Sequence, residues 1–246
     1  MLWNASALNG YPIKANDGQV GTVAGLIYDP SDWAVRWLVA DTGDWLSRRQ
    51  ALLPISALGQ PDPESHLLPV NLTMRQVEDC PDIDTSKPLS PATETLFRNH
   101  YNISPGPGRL PGNDAIALAP LQILPVVSVA RDTNGQGRLL NSLSDITGIS
   151  IEATDGDVGH SEDFLIDTAL WQVRYLTVHS SRWWTGETRL ISPQSIEGVD
   201  WARSIIHLNV TCQKVKNSPP YVAADTADGA FEELFDTYYG IRWVRR

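Results

Sequence analysis

Gly10-Tyr-Pro-Ile-Lys-Ala-Asn-Asp-Gly-Gln-Val-Gly21 has a second copy, Gly148-Ile-Ser-Ile-Glu-Ala-Thr-Asp-Gly-Asp-Val-Gly159. The offset is 138 positions and it runs on in both directions without a gap, from Leu2/Leu140 to Ile103/Ile241. Asp29 falls on Asp167, Trp33 on Trp171, Val35-Arg36 on Val173-Arg174, Leu38 on Leu176 and Trp45 on Trp183. Further along, Thr73 falls on Thr211, Val77 on Val215, Leu96-Phe97 on Leu234-Phe235 and Tyr101 on Tyr239. A single register held over so many positions identifies a tandem duplication. It divides the chain into a first repeat at 1–103, a linker at 104–137 and a second repeat at 138–246.

The 246 residues therefore make two domains of about a hundred residues each, a size that buries a core without staples. With 42% hydrophobic and 20% charged residues, the composition is that of a globular protein. The net charge of −10 repels phosphate backbones, which argues against nucleic acid as a partner. Cys80 and Cys212 are not repeat equivalents, so no disulfide framework was duplicated. Reduced thiols and a cytoplasmic location are expected. The first residues show neither a basic stretch nor a long apolar run, so no signal peptide is expected. The apolar stretch 115–130 is interrupted by Pro120 and Pro125 and falls short of the roughly 20 residues a membrane span needs. No integral membrane segment is expected, although peripheral association with a membrane surface stays compatible.

Within a repeat, Ile13–Ala15, Val20–Tyr28, Trp33–Ala40, Ala51–Pro54 and Leu67–Val70 read as short strands. Asn16-Asp17-Gly18 and its twin read as turns in which Gly18 and Gly156 take positive φ. Thr73 and Gln76 fit a capping box that opens a short helix. Ser90-Pro91 reads as N-cap and N1 of a longer helix ending near His100. Its twin starts near Asp228 and aligns Phe231, Leu234, Phe235, Tyr238 and Tyr239 along one stripe, as a core or lid element. The fold expected is mainly β with short helices: two small antiparallel β-barrels in tandem, each followed by a helical extension. The linker opens with Ser104-Pro-Gly-Pro-Gly-Arg-Leu-Pro-Gly112, and its apolar stretch is expected to pack across both barrels in one rigid body.

Several short motifs in fixed order resemble the PRC-barrel family. They are Asp17-Gly18-Gln-Val-Gly21, Asp29, Trp33-Ala-Val-Arg36-Trp-Leu-Val39, Asp41-Thr-Gly-Asp-Trp-Leu46 and Leu52-Leu53-Pro54. This module forms the cytoplasmic part of the photosynthetic reaction-centre H subunit and half of a bacterial ribosome-maturation factor. Leu72 to Val77, Pro81-Asp-Ile-Asp84 and the helix bearing Tyr101 resemble the extension of H-subunit-like members. The resemblance implies a non-catalytic protein-binding or assembly module. The alternative it implies is an H-subunit-like role in electron and proton transfer to quinone, but the transmembrane helix of that subunit has no counterpart in this sequence.

The residues themselves point to little catalytic chemistry. The five histidines show no metal-binding helical spacing, and no nucleophile elbow or phosphate loop is present. Asp155, Asp157, Glu162, Asp163 and Asp167 do not follow the spacing of a calcium loop. No catalytic, cofactor or metal residue is assigned. The candidate partner-binding residues are Trp45, Trp183 and Trp184, large aromatics after a turn, with Leu121 and Ile123 of the linker. Capping of a barrel end is the other reading of the tryptophans.

Overall fold

The computed structural model describes residues 2–46, 49–85, 87–103, 139–179, 188–221 and 229–240. The first half contains β1 (Leu2–Asn4), α1 (Ala5–Leu8), β2 (Pro12–Lys14), β3 (Gln19–Asp29), β4 (Ala34–Asp41), β5 (Gln50–Pro54), β6 (Leu68–Pro69), α2 (Met74–Glu78) and α3 (Pro91–His100). The second half contains β7 (Asn141–Ser142), β8 (Ser150–Ala153), β9 (Gly156–Asp167), β10 (Gln172–His179), β11 (Thr188–Ile191), β12 (Ile196–Asp200), β13 (Ile205–Leu208), α4 (Cys212–Lys216), β14 (Pro220–Tyr221) and α5 (Gly229–Tyr239). The fold is mainly β with a few short helices, as the alternation of apolar residues requires. No helix among the described residues is long and apolar enough to cross a membrane.

The strands join in one curled, open sheet whose central path is β12-β13-β8-β9-β10-β4-β3-β2-β6. The two halves meet where Ala34 of β4 lies opposite Gln172 of β10. These two positions are 138 apart, so each residue faces its own counterpart, and a pseudo-twofold axis passes between them. Val35 N–H donates to Trp171 O at 2.8 Å, and Val173 N–H donates to Trp33 O at 2.9 Å. Each bond is the image of the other. Trp33 and Trp171 reach this geometry at φ 59° and 50°, a left-handed conformation that bulky residues rarely adopt. Trp33 is thus a strand-preceding turn residue, not the first strand residue that its apolar run suggests. Its ring stacks on Tyr28 at 5.0 Å, which helps to hold the turn.

Each half also lends its first strand to the other. β1 pairs antiparallel with the far end of β9, with Trp3 opposite Ile166 and Asn4 opposite Leu165. Reciprocally, β7 pairs with the far end of β3, with Asn141 opposite Tyr28 and Ser142 opposite Ile27. The long strands make room for both partners on one edge, β3 taking β2 near its start and β9 taking β8 near its start. The terminal helices pack where the exchanged strands arrive. Phe97 of α3 meets Trp37 of β4 at 5.8 Å, and Phe235 of α5 meets Tyr175 of β10 at 4.7 Å. Leu2 packs against the cluster of Leu165, Tyr175, Leu190 and Phe235. Leu140 bridges to Leu89 just before α3. The main core runs unbroken from Leu8 in the first half to Val215 in the second. The expected seam-forming stretch 115–130 lies outside the described residues, and the halves are joined by direct strand pairing.

Backbone detail follows the same offset. His66 and Ser204 have φ 51° and 54°, Gly10 and Gly148 have 81° and 78°, and Gly21 and Gly159 have 134° and 138°. The halves differ where proline intervenes. β12 and β13 pair from Ile196 to Asp200 with one bulge, whereas the corresponding segment around Pro61 and Pro63 keeps only the bridges Leu58–Val70 and Asp62–Leu67. Proline supplies no N–H to a ladder. The expected positive φ is found at Gly156 (154°) but not at Gly18. Gly18 is instead small because the Met74 side chain occupies the space a Cβ would take.

The glycine pair Gly10 and Gly21 gives a test of this geometry. A Cβ at Gly21 would run into the backbone of Asp41 and Thr42, while nothing lies within 4 Å of one at Gly10. Gly21→Ala should lower stability by more than about 2 kcal/mol, and Gly10→Ala by only about 1–2 kcal/mol for its left-handed φ. Urea unfolding of the two variants measures both. Equal losses would contradict the close approach of β3 to the end of β4.

Candidate functional site

The acidic group at the start of the second half is engaged in the fold. Asp155 Oδ1 accepts the Cys212 N–H at 2.6 Å, and its twin Asp17 accepts the Met74 N–H at 2.7 Å. These carboxylates satisfy the free N–H groups that open α4 and α2, in addition to the N-caps Thr211 and Thr73. Thr73 and Gln76 make the expected reciprocal capping box, and Lys214 leaves only the forward half of it at Thr211. Asp157 Oδ1 accepts Gly159 N–H at 3.2 Å, and Asp167 Oδ1 accepts Ala169 N–H at 3.0 Å. The Asp-Gly turn repeated in the sequence is therefore a helix-capping device.

Asp163 does something different. Its Oδ1 accepts the Ser6 N–H at 3.1 Å and its Oδ2 accepts the Ser6 hydroxyl at 2.5 Å. It thereby fastens the exchanged N-terminal segment to the second half. An open polar cleft of about 300 Å³ forms beside this contact, lined by Asn4, Ser6, Glu162, Asp163, Thr177, Thr188 and Tyr221. Thr188 Oγ1 lies 3.5 Å from Glu162 Oε2, and Thr177 Oγ1 donates to Asp163 O at 3.0 Å. The equivalents of Glu162, Asp163 and Thr177 in the first half are Ala24, Gly25 and Val39, so this chemistry belongs to the second half alone. Two carboxylates among hydroxyls suit a cation and repel an anion. Ser6 Oγ donates to a carboxylate, and among the described residues no imidazole is hydrogen-bonded to it as in an activated nucleophile.

A second cleft, of about 420 Å³, lies at the start of β3 and the end of β4. It is lined by Gln19, Gly21, Thr22, Asp41, Thr42, Gly43 and Asp44. The single-turn helix Gly43–Leu46 at its rim carries Trp45, of which only the backbone is described. The other predicted partner-binding residues, Trp183, Trp184, Leu121 and Ile123, lie outside the described residues. Besides Leu139, Leu170 and Trp201, the exposed large apolar side chains that the structure presents are Leu96 on α3 and Leu234 on α5, at 59% and 58% exposure. They are repeat equivalents. The stripe expected on α5 divides accordingly, with Phe235 fully buried, Tyr239 packed on the core and Leu234 facing out.

Three of the histidines have separate partners. His66 Nδ1 lies 3.0 Å from Tyr11 Oη, His100 Nε2 lies 2.8 Å from Gln76 O, and His207 Nδ1 lies 3.7 Å from Glu152 Oε2. His160 and His179 are opposed across β9 and β10. Among the described residues no group of three His, Cys, Asp or Glu is arranged to hold a metal ion. Both cysteines are free and buried. Burial and the neighbouring Asp155 carboxylate push the Cys212 thiol up to about 11, and burial also raises Cys80. Such thiols stay protonated at neutral pH and are poor nucleophiles.

Reading the copies against each other is the signal that would have found the cleft. Glu162-Asp163 replaces Ala24-Gly25, a change from small and apolar to charged at a position where the backbone is otherwise conserved between halves.

The hydrogen bond from Cys212 N–H holds the Asp155 carboxyl below its ordinary range. A pKa that is lower in the folded state contributes stability above the unfolded value, about 3.9, and loses it as pH falls through the folded one. Asp155→Ala should therefore lower Tm at pH 7, and the deficit should shrink as the pH is taken below about 4. Thermal melts at the two pH values decide it; a deficit independent of pH would remove the carboxylate charge from the account.

No protein-family model matches this chain and no curated protein matches it, so its function has to be read from the residues themselves.

Proposed function

We propose that the chain is a non-catalytic protein-binding and assembly module of PRC-barrel type, in which two barrels in tandem act as one pseudo-symmetric body. The observation that carries this reading is the pair Leu96 and Leu234, repeat equivalents that stand 59% and 58% exposed on equivalent helices. Leucine left in water twice, at the same position of both copies, is a cost that a buried contact with a partner relieves. The helices that bear them are anchored by Phe97 and Phe235, both fully buried, so the leucines are presented on fixed supports. A scaffold with two equivalent docking points suits a partner that offers two equivalent elements, with gains in avidity from simultaneous engagement. The turn carrying Trp45 at the rim of the second cleft is a further point of contact in this reading. The net charge of −10 favours a protein over nucleic acid, and the reduced cysteines suit the cytoplasm.

Leu96→Glu and Leu234→Glu test the reading. Each is exposed, so stability should change by no more than about 0.5 kcal/mol. A partner captured from the native host by the wild-type chain should bind the single variants at least about tenfold more weakly and be lost from the double variant. A partner that binds all of them equally would refute the assignment of these leucines. Quinone retained by the purified chain would instead support the H-subunit-like alternative.

A further inference from the structure

The two halves diverge sharply at one row of the sheet. In the first, Thr22 lies opposite Asp41 across β3 and β4. At the equivalent place in the second, His160 lies opposite His179 across β9 and β10. Directly opposed residues on antiparallel strands project to the same face with Cβ atoms about 4.5–5.5 Å apart. Two imidazoles at that separation can each direct one ring nitrogen to a shared ion. Both histidines are exposed, so their rings are free to turn toward it.

The surroundings favour a cation. Ser150 continues the row beyond His160, and Thr188 continues it beyond His179. Thr188 Oγ1 lies 3.5 Å from Glu162 Oε2, which brings a carboxylate to the neighbourhood of the pair. Glu162, Asp163 and Thr188 also line the cleft of about 300 Å³. The chain as a whole carries a net charge of −10, which raises the local concentration of cations.

We propose that His160 and His179 form a two-imidazole site for a divalent transition-metal ion at the mouth of this cleft, with Glu162 supplying compensating charge. The donor set selects Cu²⁺, Ni²⁺ or Zn²⁺ over Ca²⁺ and Mg²⁺, which prefer oxygen ligands. Cu²⁺ binds tightest by the general order of affinities. With no third residue among the described ones arranged as a ligand, the ion keeps positions open to water or to a further donor. The site is thus exchangeable, unlike a closed structural zinc centre.

Calorimetric titration of the tag-free, full-length chain with Cu²⁺, Ni²⁺ and Zn²⁺ salts is the test, with electron paramagnetic resonance of the Cu²⁺ form. One ion should bind per chain, and the Cu²⁺ spectrum should report two nitrogen donors. His160→Gln and His179→Gln should each weaken Cu²⁺ binding at least about tenfold and reduce the donors to one, while circular dichroism shows the fold intact. In the other direction, Thr22→His combined with Asp41→His should add a second saturable ion in the first half; its absence would count against the cross-strand geometry. Absence of saturable binding, or binding unchanged in both glutamine variants, would overturn the proposal.

Discussion

Two backbone hydrogen bonds, from Val35 to Trp171 and from Val173 to Trp33, hold the centre of this molecule. They join the halves edge to edge and make a single sheet of them. Geometry of this kind is self-complementary: one surface patch serves both sides, as in the isologous contact of a twofold dimer. The left-handed backbone at Trp33 and Trp171 is the condition for it. A residue with so unfavourable a φ persists only where its surroundings over-determine it; the paired strands do so at both positions, and stacking on Tyr28 adds to it at Trp33.

Around that axis the exchanged strands act as clasps. β1 on β9 and β7 on β3 complete sheet edges that would otherwise present unpaired backbone groups. Asymmetric contacts then decorate the symmetric frame. Gln60 Nε2 donates to Thr168 O at 2.8 Å, and Thr168 Oγ1 donates to Gln60 Oε1 at 2.9 Å, across the halves. The twins of these residues are Gly198 and Pro30, which cannot form the same pair. The Ser6–Asp163 contact is likewise confined to one side.

The amino-acid pattern made the individual strands and helices legible, because their apolar periodicity and caps are local signals. Thr73-Gln76 and Ser90-Pro91 open helices where their chemistry says they should. Gly18 was misleading, since a glycine can mark a tight contact as well as a positive φ, and only the position of Met74 distinguishes the two. Trp33 hides its turn inside a run of strand-forming residues. The axis and the strand exchange could not be read at all: pairing between residues more than 110 positions apart leaves no trace in a local window. The candidate cleft was half legible. Its carboxylates stood out as an acidic group, but their division into helix caps, a clasp for Ser6 and the lining of a cleft depends on which strand each occupies.

The clasp formed by β1 has a consequence for the order of events during synthesis. Leu2 is made before its partner Asp167, which follows 165 positions later. At 5–20 residues per second, the N-terminal strand waits roughly 8–33 s for its seat to exist. The edge of β3 at Ile27 and Tyr28 stays open until Asn141 and Ser142 arrive. The first half therefore leaves the ribosome as an incomplete body with one unseated strand and one bare edge. β1 is made well before the strand that seats it.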